Sequence, residues 1–247
     1  VKLTIVGCAP AWTRRPGHAS SCYLVEHGGG TLMLDLGQGA FAELGRYRRP
    51  EELASIVISH LHPDHFIDLV PLRHYLKYEA AVAPRPAIHA PAQLAARLDG
   101  LFAERDFLAD FSVSRLVPGP FSAAGLTVEA AHVTHIPDSF AFRISSSEGA
   151  GLVYSGDCGV AADLALLIRP GDVVLCEAAY GAGPAQNQIH LDAGAAAGVA
   201  ARSGASTLIL THVLDTSDRA EALAAASAAF SGPLLLAEPG LAVDVGR

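Results

Sequence analysis

The segment His60-Leu61-His62-Pro63-Asp64-His65 places three imidazoles and a carboxylate within six residues. Neutral imidazole nitrogens and carboxylate oxygens are the ligands that zinc and similar divalent ions favour. The segment follows an apolar run, Ser55–Ser59, and precedes a helical pattern, so the chain enters it extended and leaves it as a helix. In extended chain, residues two apart share a side, which lets His60 and His62 grip one ion. Asp64 and His65 stand at the turn into the helix, displaced from the first pair, and can face a second ion beside it. A solvated turn that happens to be rich in histidine is the competing account, and three histidines directly after a buried strand argue against it. The chain carries eleven histidines and four cysteines. Cys8, Cys22, Cys158 and Cys176 form no C-x-x-C pair and no dense framework, so they are expected as reduced thiols of a cytoplasmic protein.

The elements that must position this segment alternate in type. Strand patterns cover Lys2–Val6, Ser21–Glu26 and Thr31–Asp35, with Gly28-Gly29-Gly30 supplying a hairpin turn between the last two. A short helical piece at Glu51–Ala54 leads to the strand Ser55–Ser59, and a helix is expected over Asp64–Glu79. Then follow a strand at Pro86–Ala90, a helix at Gln93–Phe107, and strands at Leu126–Val133, Phe140–Ser145 and Leu152–Ser155. Asp163–Ile168 reads as helical and Asp172–Cys176 as a strand. Ala193–Ser203 is an Ala-rich helix stopped before Gly204. Thr207–Thr211 is a strand, Asp218–Phe230 a helix and Leu234–Ala237 a strand. The order is β-rich, then α/β, twice over. It predicts an α/β fold of two mixed sheets packed together, with helices on both outer faces, as a single domain over residues 1–247.

Composition narrows the class. With 51% hydrophobic and 17% charged residues the chain can bury a large core, which excludes disorder. Seventeen Lys and Arg against 25 Asp and Glu leave a net charge of −8, which argues against broad nucleic-acid binding. No apolar run is long enough to span a bilayer, and VKLTIVG opens as a strand with no charged-then-apolar leader, so a cytoplasmic protein without membrane association is expected.

The segment His60-x-His62-x-Asp64-His65 resembles the H-x-H-x-D-H signature of the metallo-β-lactamase-fold hydrolases, and the resemblance continues in order. Asp35 in Leu34-Asp-Leu-Gly37 is similar to an early element that shapes the site without binding metal. His135, followed by the strand with Phe140 and Arg143, resembles the family's third histidine motif. Tyr154-Ser-Gly-Asp157 resembles the motif carrying a bridging carboxylate, and Leu208-Ile-Leu-Thr-His212 the last ligand. His132 is the other candidate for the third motif, but the spacing from His135 to Phe140 and Arg143 matches the family better. The resemblance covers nearly the whole chain and implies the αβ/βα four-layer sandwich. It also implies two divalent ions, zinc ahead of manganese: His60, His62 and His135 on the first, Asp64, His65 and His212 on the second, Asp157 bridging. A hydroxide between the ions would be the nucleophile, with Asp64 orienting it.

Two further residues choose between branches of that family. His190, in Ile189-His-Leu-Asp-Ala, resembles a histidine of the tRNA 3′-processing endonucleases and related phosphodiesterases that donates a proton to the leaving oxygen. Glu177 is similar to an acid that orients it. The same sequence lacks the long basic arm of the endonucleases: Ile144 to Gly156 leaves room for a turn and one strand. The stretches GLVYSGDCG, VVLCEAAY and HVTHIPDSFAFRI are most similar to small bacterial atypical class II cyclic-nucleotide phosphodiesterases. The resemblance therefore implies hydrolysis of a small anionic phosphodiester, such as a 3′,5′-cyclic nucleotide, with His190 as proton donor. A lactonase or thioester hydrolase with the same ligands is the alternative, followed by a tRNA-processing endonuclease and a non-catalytic metal-binding protein. A homodimer is implied by resemblance only. Arg14, Arg15 and His18 could reach a phosphate or simply be solvated, Cys158 is expected as a buried inert thiol, and His132 as a strand residue near the core.

Overall fold

The computed structural model describes residues 1–80, 83–103, 105–146, 149–184 and 188–246. Among the described residues fourteen strands run in chain order as β1 Lys2–Gly7, β2 Cys22–His27, β3 Gly30–Leu34, β4 Ser55–Val57, β5 Ala87–Ala90, β6 Val113–Arg115, β7 Gly119–Ala123, β8 Leu126–His132, β9 Phe140–Ser145, β10 Leu152–Tyr154, β11 Val173–Glu177, β12 Thr207–Thr211, β13 Leu234–Leu236 and β14 Ala242–Asp244. The α-helices are α1 Ala40–Leu44, α2 Pro63–Phe66, α3 Leu69–Tyr78, α4 Leu94–Phe102, α5 Ala193–Arg202 and α6 Arg219–Ser227.

Two seven-stranded sheets form, ordered β14-β1-β2-β3-β4-β5-β6 and β13-β12-β11-β10-β9-β8-β7. In the first, β14, β1, β2 and β3 pair antiparallel in succession, and β3, β4, β5 and β6 pair parallel. The second repeats the scheme, antiparallel from β7 to β10 and parallel from β10 to β13. This is the expected pair of mixed sheets. Their period-2 alternation sorts side chains into layers. Leu3 and Ile5 of β1 face Phe140, Phe142 and Ile144 of β9 in the core between the sheets. Val6, Leu24 and Met33 point the other way, under Leu69, Leu72 and Leu76 of α3 and Leu94 and Leu98 of α4. Ala141, Val174 and Leu210 lie beneath α5 and α6, whose small faces (Ala196, Ala197, Ala200, Ala222, Ala226) let the helices settle close to the strands. Three apolar clusters thus separate four layers, helix–sheet–sheet–helix.

Several elements differ from expectation for identifiable reasons. The helix expected over residues 64–79 is two helices, α2 and α3, interrupted at Ile67–Asp68. Pro71 lacks an N–H and its ring clashes with the carbonyl four residues earlier, that of Ile67, so no continuous helix can pass. The helix expected over 93–107 stops at Phe102, where Ala103 turns left-handed at φ 50°; residue 104 lies outside the described residues. The segments 51–54 and 163–168 hold only single 3-10 turns, Pro50–Glu52 and Ala161–Leu164. The Gly28–Gly29 hairpin forms as read, with both glycines at positive φ, the conformation a two-residue turn demands. Strands β6, β7 and β14, absent from the sequence reading, are all sheet edges.

One buried ion pair ties the second sheet to the loop ahead of β11. Arg143 in β9 donates to both oxygens of Asp172, Nε to Oδ2 at 2.8 Å and Nη2 to Oδ1 at 2.9 Å. Asp172 also accepts the backbone N–H groups of Gly151 and Arg169. Removing the guanidinium would strand a buried carboxylate, so Arg143→Ala is expected to cost about 3–5 kcal/mol. Denaturant unfolding checks this; a loss under about 1 kcal/mol, the worth of an exposed pair, would contradict it.

Candidate metal centre

The histidines and carboxylates singled out above meet where parallel strands end. Asp35 follows β3, the His60–His65 segment follows β4, Asp157 follows β10, Glu177 closes β11 and His212 follows β12. His135 arrives on the loop before β9 and His190 on the loop before α5. Carboxyl ends of strands in α/β sheets are the ordinary place for a site, because the chain must turn there and the loops converge. The turn after β10 depends on Gly156: at φ 56° its position would put a Cβ 2.7 Å from the Phe140 carbonyl oxygen, so only glycine lets Asp157 reach the centre. Asp35 and His212 are themselves left-handed, at φ 57° and 59°, a costly conformation for residues other than glycine.

Two overlapping groups result. His60, His62, His135 and Asp157 form one, and Asp64, His65, Asp157 and His212 the other, each with candidate ligand atoms within 4.8 Å of one another. Asp157 belongs to both, and to a third such group with Glu177 and His190. Its Oδ2 lies 3.7 Å from His60 Nε2, 3.7 Å from His135 Nε2 and 3.4 Å from His212 Nε2, and its Oδ1 3.3 Å from His65 Nε2. His62 Nδ1 and His135 Nε2 are 3.0 Å apart. Ligands about 2.0–2.1 Å from a tetrahedral zinc sit about 3.3–3.4 Å from each other, so these spacings match a shared cation.

The outer nitrogens are pinned so that the inner ones present lone pairs. His135 Nδ1 donates to the Ile189 carbonyl at 2.6 Å. His65 Nδ1 donates to Asp35 Oδ2 at 2.7 Å, and His60 Nδ1 lies 3.1 Å from Ser59 Oγ. His212 Nδ1 faces Ser21 Oγ at 3.4 Å. Three buried polar atoms at the centre then have no hydrogen-bond partner among the described residues: His60 Nε2, His65 Nε2 and Asp157 Oδ1. Stranded polar atoms are costly, and three converging on one point are what a cation would satisfy. The His/Asp clusters therefore suit divalent metals.

The protonation energetics agree. Burial pushes the imidazoles of His60 and His62 below their ordinary range, toward the neutral form that ligates. Burial opposes charge on Asp64 and Asp157, yet neighbouring histidines outweigh it and hold both carboxyls below the usual range. His65 goes the other way: burial works against its proton, but Asp157 and Asp35 raise it well above the ordinary value. A proton on His65 Nε2 and a cation beside it are alternatives for one position.

Beside the clusters, His190 Nδ1 lies 2.9 Å from Glu177 Oε1. A carboxylate only accepts, so Nδ1 carries the hydrogen. Glu177 also accepts from Cys158 N and Ala179 N, both at 3.0 Å, so one carboxylate anchors His190 and the loop after Asp157. Burial opposes protonation of His190, but the bond to Glu177 outweighs it and raises the imidazole above its ordinary value. The ring lies against those of His135 and His212, with centroids 4.9 and 5.7 Å away.

Other sequence candidates fall outside the centre. His132 is exposed and stacks on Phe140 at 4.4 Å, at a strand end rather than near the core as expected. Cys158 is buried, its thiol pushed up to about 12 by burial, as an inert thiol should be. The loop of Arg14, Arg15 and His18 is held by Asp215, which accepts from Arg14 N and Thr13 Oγ1. Arg15 and Arg219 are ion-paired to Asp215 and Glu238, so the basic loop is largely neutralised. Sequence reading missed Ser59 and Tyr154, which complete the bonding of Asp35; adjacency to the His60 and Asp157 motifs was the available signal.

Fold and site together define a metallo-hydrolase. The chain belongs to the β-lactamase superfamily: the model of the "Beta-lactamase superfamily domain" matches residues 33–213. An uncharacterized protein of Mycobacterium tuberculosis is 31% identical over 242 residues, 95% of this chain and 88% of that protein. The crystal structure of the metallo-β-lactamase fold protein YhfI from Bacillus subtilis superposes with a TM-score of 0.88 at 22% identity, covering 98% of this chain and 99% of that one. Human tRNase Z, short form, superposes at 0.77 with 21% identity over the whole of both chains. Among the described residues no helix is long and apolar enough to cross a membrane.

His135 supplies a titration test. Burial lowers its imidazole from 6.5 to about 4 in the metal-free protein. The unfolded chain therefore takes up this proton first, and this residue costs the fold stability as pH falls through that window. Histidine ring resonances of metal-stripped protein should show His135 neutral at pH 5; a midpoint near 6.5 would refute the assignment.

Proposed function

We propose that this chain is a dinuclear metal-dependent phosphodiesterase acting on a small phosphodiester, a 3′,5′-cyclic nucleotide being the model substrate. The observation that carries the reading is the His190–Glu177 pair standing beside two histidine clusters that share Asp157. His60, His62 and His135 would hold one divalent ion and Asp64, His65 and His212 a second, with Asp157 between them; the nitrogen- and oxygen-rich donor set favours zinc, then manganese. When bound, such ions supply positive charge that acidifies water and offsets the charge gathering on a phosphoryl group.

The remaining work falls to this chain. Asp64, kept anionic by His65 and His212, is placed to accept a hydrogen bond from the attacking water and so align it. Glu177 accepts His190 Nδ1–H and raises the imidazole above its ordinary value, which favours a second proton on Nε2 for transfer to the departing oxygen. An alkoxide leaves poorly without that proton, which is why a proton donor favours a phosphodiester with a poor leaving group. The short link from β9 to β10, six residues, gives no room for a tRNA-gripping arm, and the charge of −8 fits a small substrate better than a polynucleotide. The four cysteines are free and buried, which suits a reducing cytoplasm.

Elemental analysis should find about two ions per chain. A panel of phosphodiesters, lactones, thioesters and precursor tRNA, with zinc and manganese supplied separately, should give turnover on small phosphodiesters first. Lactone or thioester turnover alone would promote the alternative hydrolases, and tRNA cleavage the nuclease reading. His190→Ala should lower turnover of a cyclic nucleotide by about 10²–10⁴-fold with metal content retained. The loss should be much smaller for bis(p-nitrophenyl) phosphate, whose leaving group departs unprotonated. Equal losses on both substrates would remove the proton-donor role.

A further inference from the structure

A cavity of about 450 Å³ opens directly beside the ring of His62. That volume falls within the roughly 300–1,000 Å³ of small-ligand sites. Leu61, Pro91 and Ile136 supply apolar wall, and Gln93, Arg97 and Asp138 supply polar groups. Because His62 belongs to the cluster and also lines the cavity, anything reacting at the centre can reach into it with its non-reacting half.

The wall chemistry narrows what that half is. Apolar side chains accept the faces of a flat ring. Arg97 is anchored by its bond to the Leu61 carbonyl, 2.9 Å, and a guanidinium fixed in this way offers a plane for a ring to stack on. The Gln93 amide and Asp138 carboxylate have no hydrogen-bond or ion-pair partner among the described residues. A carboxylate accepts hydrogen bonds and repels anions and carbonyl oxygens, so a ring bearing an exocyclic amine fits, while a second phosphate, or the uracil N3–H flanked by two carbonyls, does not. Asp138 is moreover held at φ 60° after Pro137, a left-handed conformation that costs a non-glycine residue energy and that a turn led by proline imposes.

We propose that this cavity is a base subsite that selects a nucleobase carrying an exocyclic amine, as adenine, guanine and cytosine do, over one without, such as uracil, with Asp138 and Gln93 as the specificity-determining residues. The inference rests on the phosphodiesterase reading, and two kinds of measurement separate their fates. Among 3′,5′-cyclic nucleotides, kcat/KM should favour cyclic AMP over cyclic UMP by about 10–100-fold, the worth of a hydrogen bond to a charged acceptor. Asp138→Ala should collapse that ratio toward one, and Gln93→Ala should reduce it; the second variant serves if the first fails to fold.

Calorimetry with AMP and UMP on metal-loaded protein reads the same preference without turnover. Cyclic nucleotides cleaved with no base preference, or with a preference both variants retain, would overturn the subsite and leave the phosphodiesterase standing. No phosphodiester cleaved, but AMP bound more tightly than UMP in an Asp138-dependent manner, would keep the subsite and overturn the phosphodiesterase. Neither turnover nor selective binding would overturn both.

Discussion

A carboxylate with no access to solvent, that of Asp35, holds the histidine frame in place. It accepts from Ser59 N at 2.6 Å, Ser59 Oγ at 2.7 Å, Tyr154 Oη at 2.6 Å and lies 2.7 Å from His65 Nδ1. A buried charge costs several kcal/mol unless it is fully bonded, and these contacts fill its acceptor positions. They come from different parts of the fold: Ser59 from the end of β4 in the first sheet, Tyr154 from β10 in the second, His65 from α2. The same anion therefore fixes the spacing of the two sheets where they meet the site and the rotation of one imidazole in it. Its left-handed backbone is the local consequence, since β3 must bend sharply to turn the side chain between the sheets.

Most of the centre could be read from the chain because its residues are crowded into short motifs at strand ends, where period and spacing change together. His60 to His65 occupy a strand end and the first turn of α2, and His212 immediately follows a strand of apolar residues. The core strands were legible for the same reason: β9 and β12 are long and apolar enough to be seen whole. What was illegible lies where tertiary pairing, not pattern, decides the structure. Strand β6 is exposed at all three positions, and β7 contains Pro120, which a ladder tolerates at an edge. The split between α2 and α3 was visible in principle in Pro71, but a helical pattern on both sides hid it. Tyr154 and Asp138 acquire meaning only when distant segments are brought alongside them.

Charge is distributed in a way that sets the centre apart from its surroundings. Several arginines are committed to carboxylates: Arg143 to Asp172, Arg15 to Asp215 and Glu238, and Arg219 to Glu238. Surface arginines at 46, 48 and 49 pair with Glu43, Glu26 and Glu52. A net charge of −8, with many guanidinium groups paired to carboxylates, works against tracking a polyanion. Under the proposed function, attraction for an anionic substrate then comes from the centre itself, over a short range. That favours a ligand small enough to enter whole.

Glu177 makes the two halves of the proposed chemistry interdependent. The same carboxylate that receives His190 Nδ1–H also receives Cys158 N, the residue directly after Asp157. The loop carrying the shared ligand and the ring carrying the proton are thus hung on one buried anchor at the end of β11. Any shift of that anchor would move both at once. A histidine that merely packed against its helix would need no such tether: Asp192 already caps α5 by accepting from Ala195 N at 2.8 Å. With the helix start satisfied by its own residue, the Glu177 bond is free to orient the imidazole and raise its proton affinity, the geometry that the proposed proton donor requires.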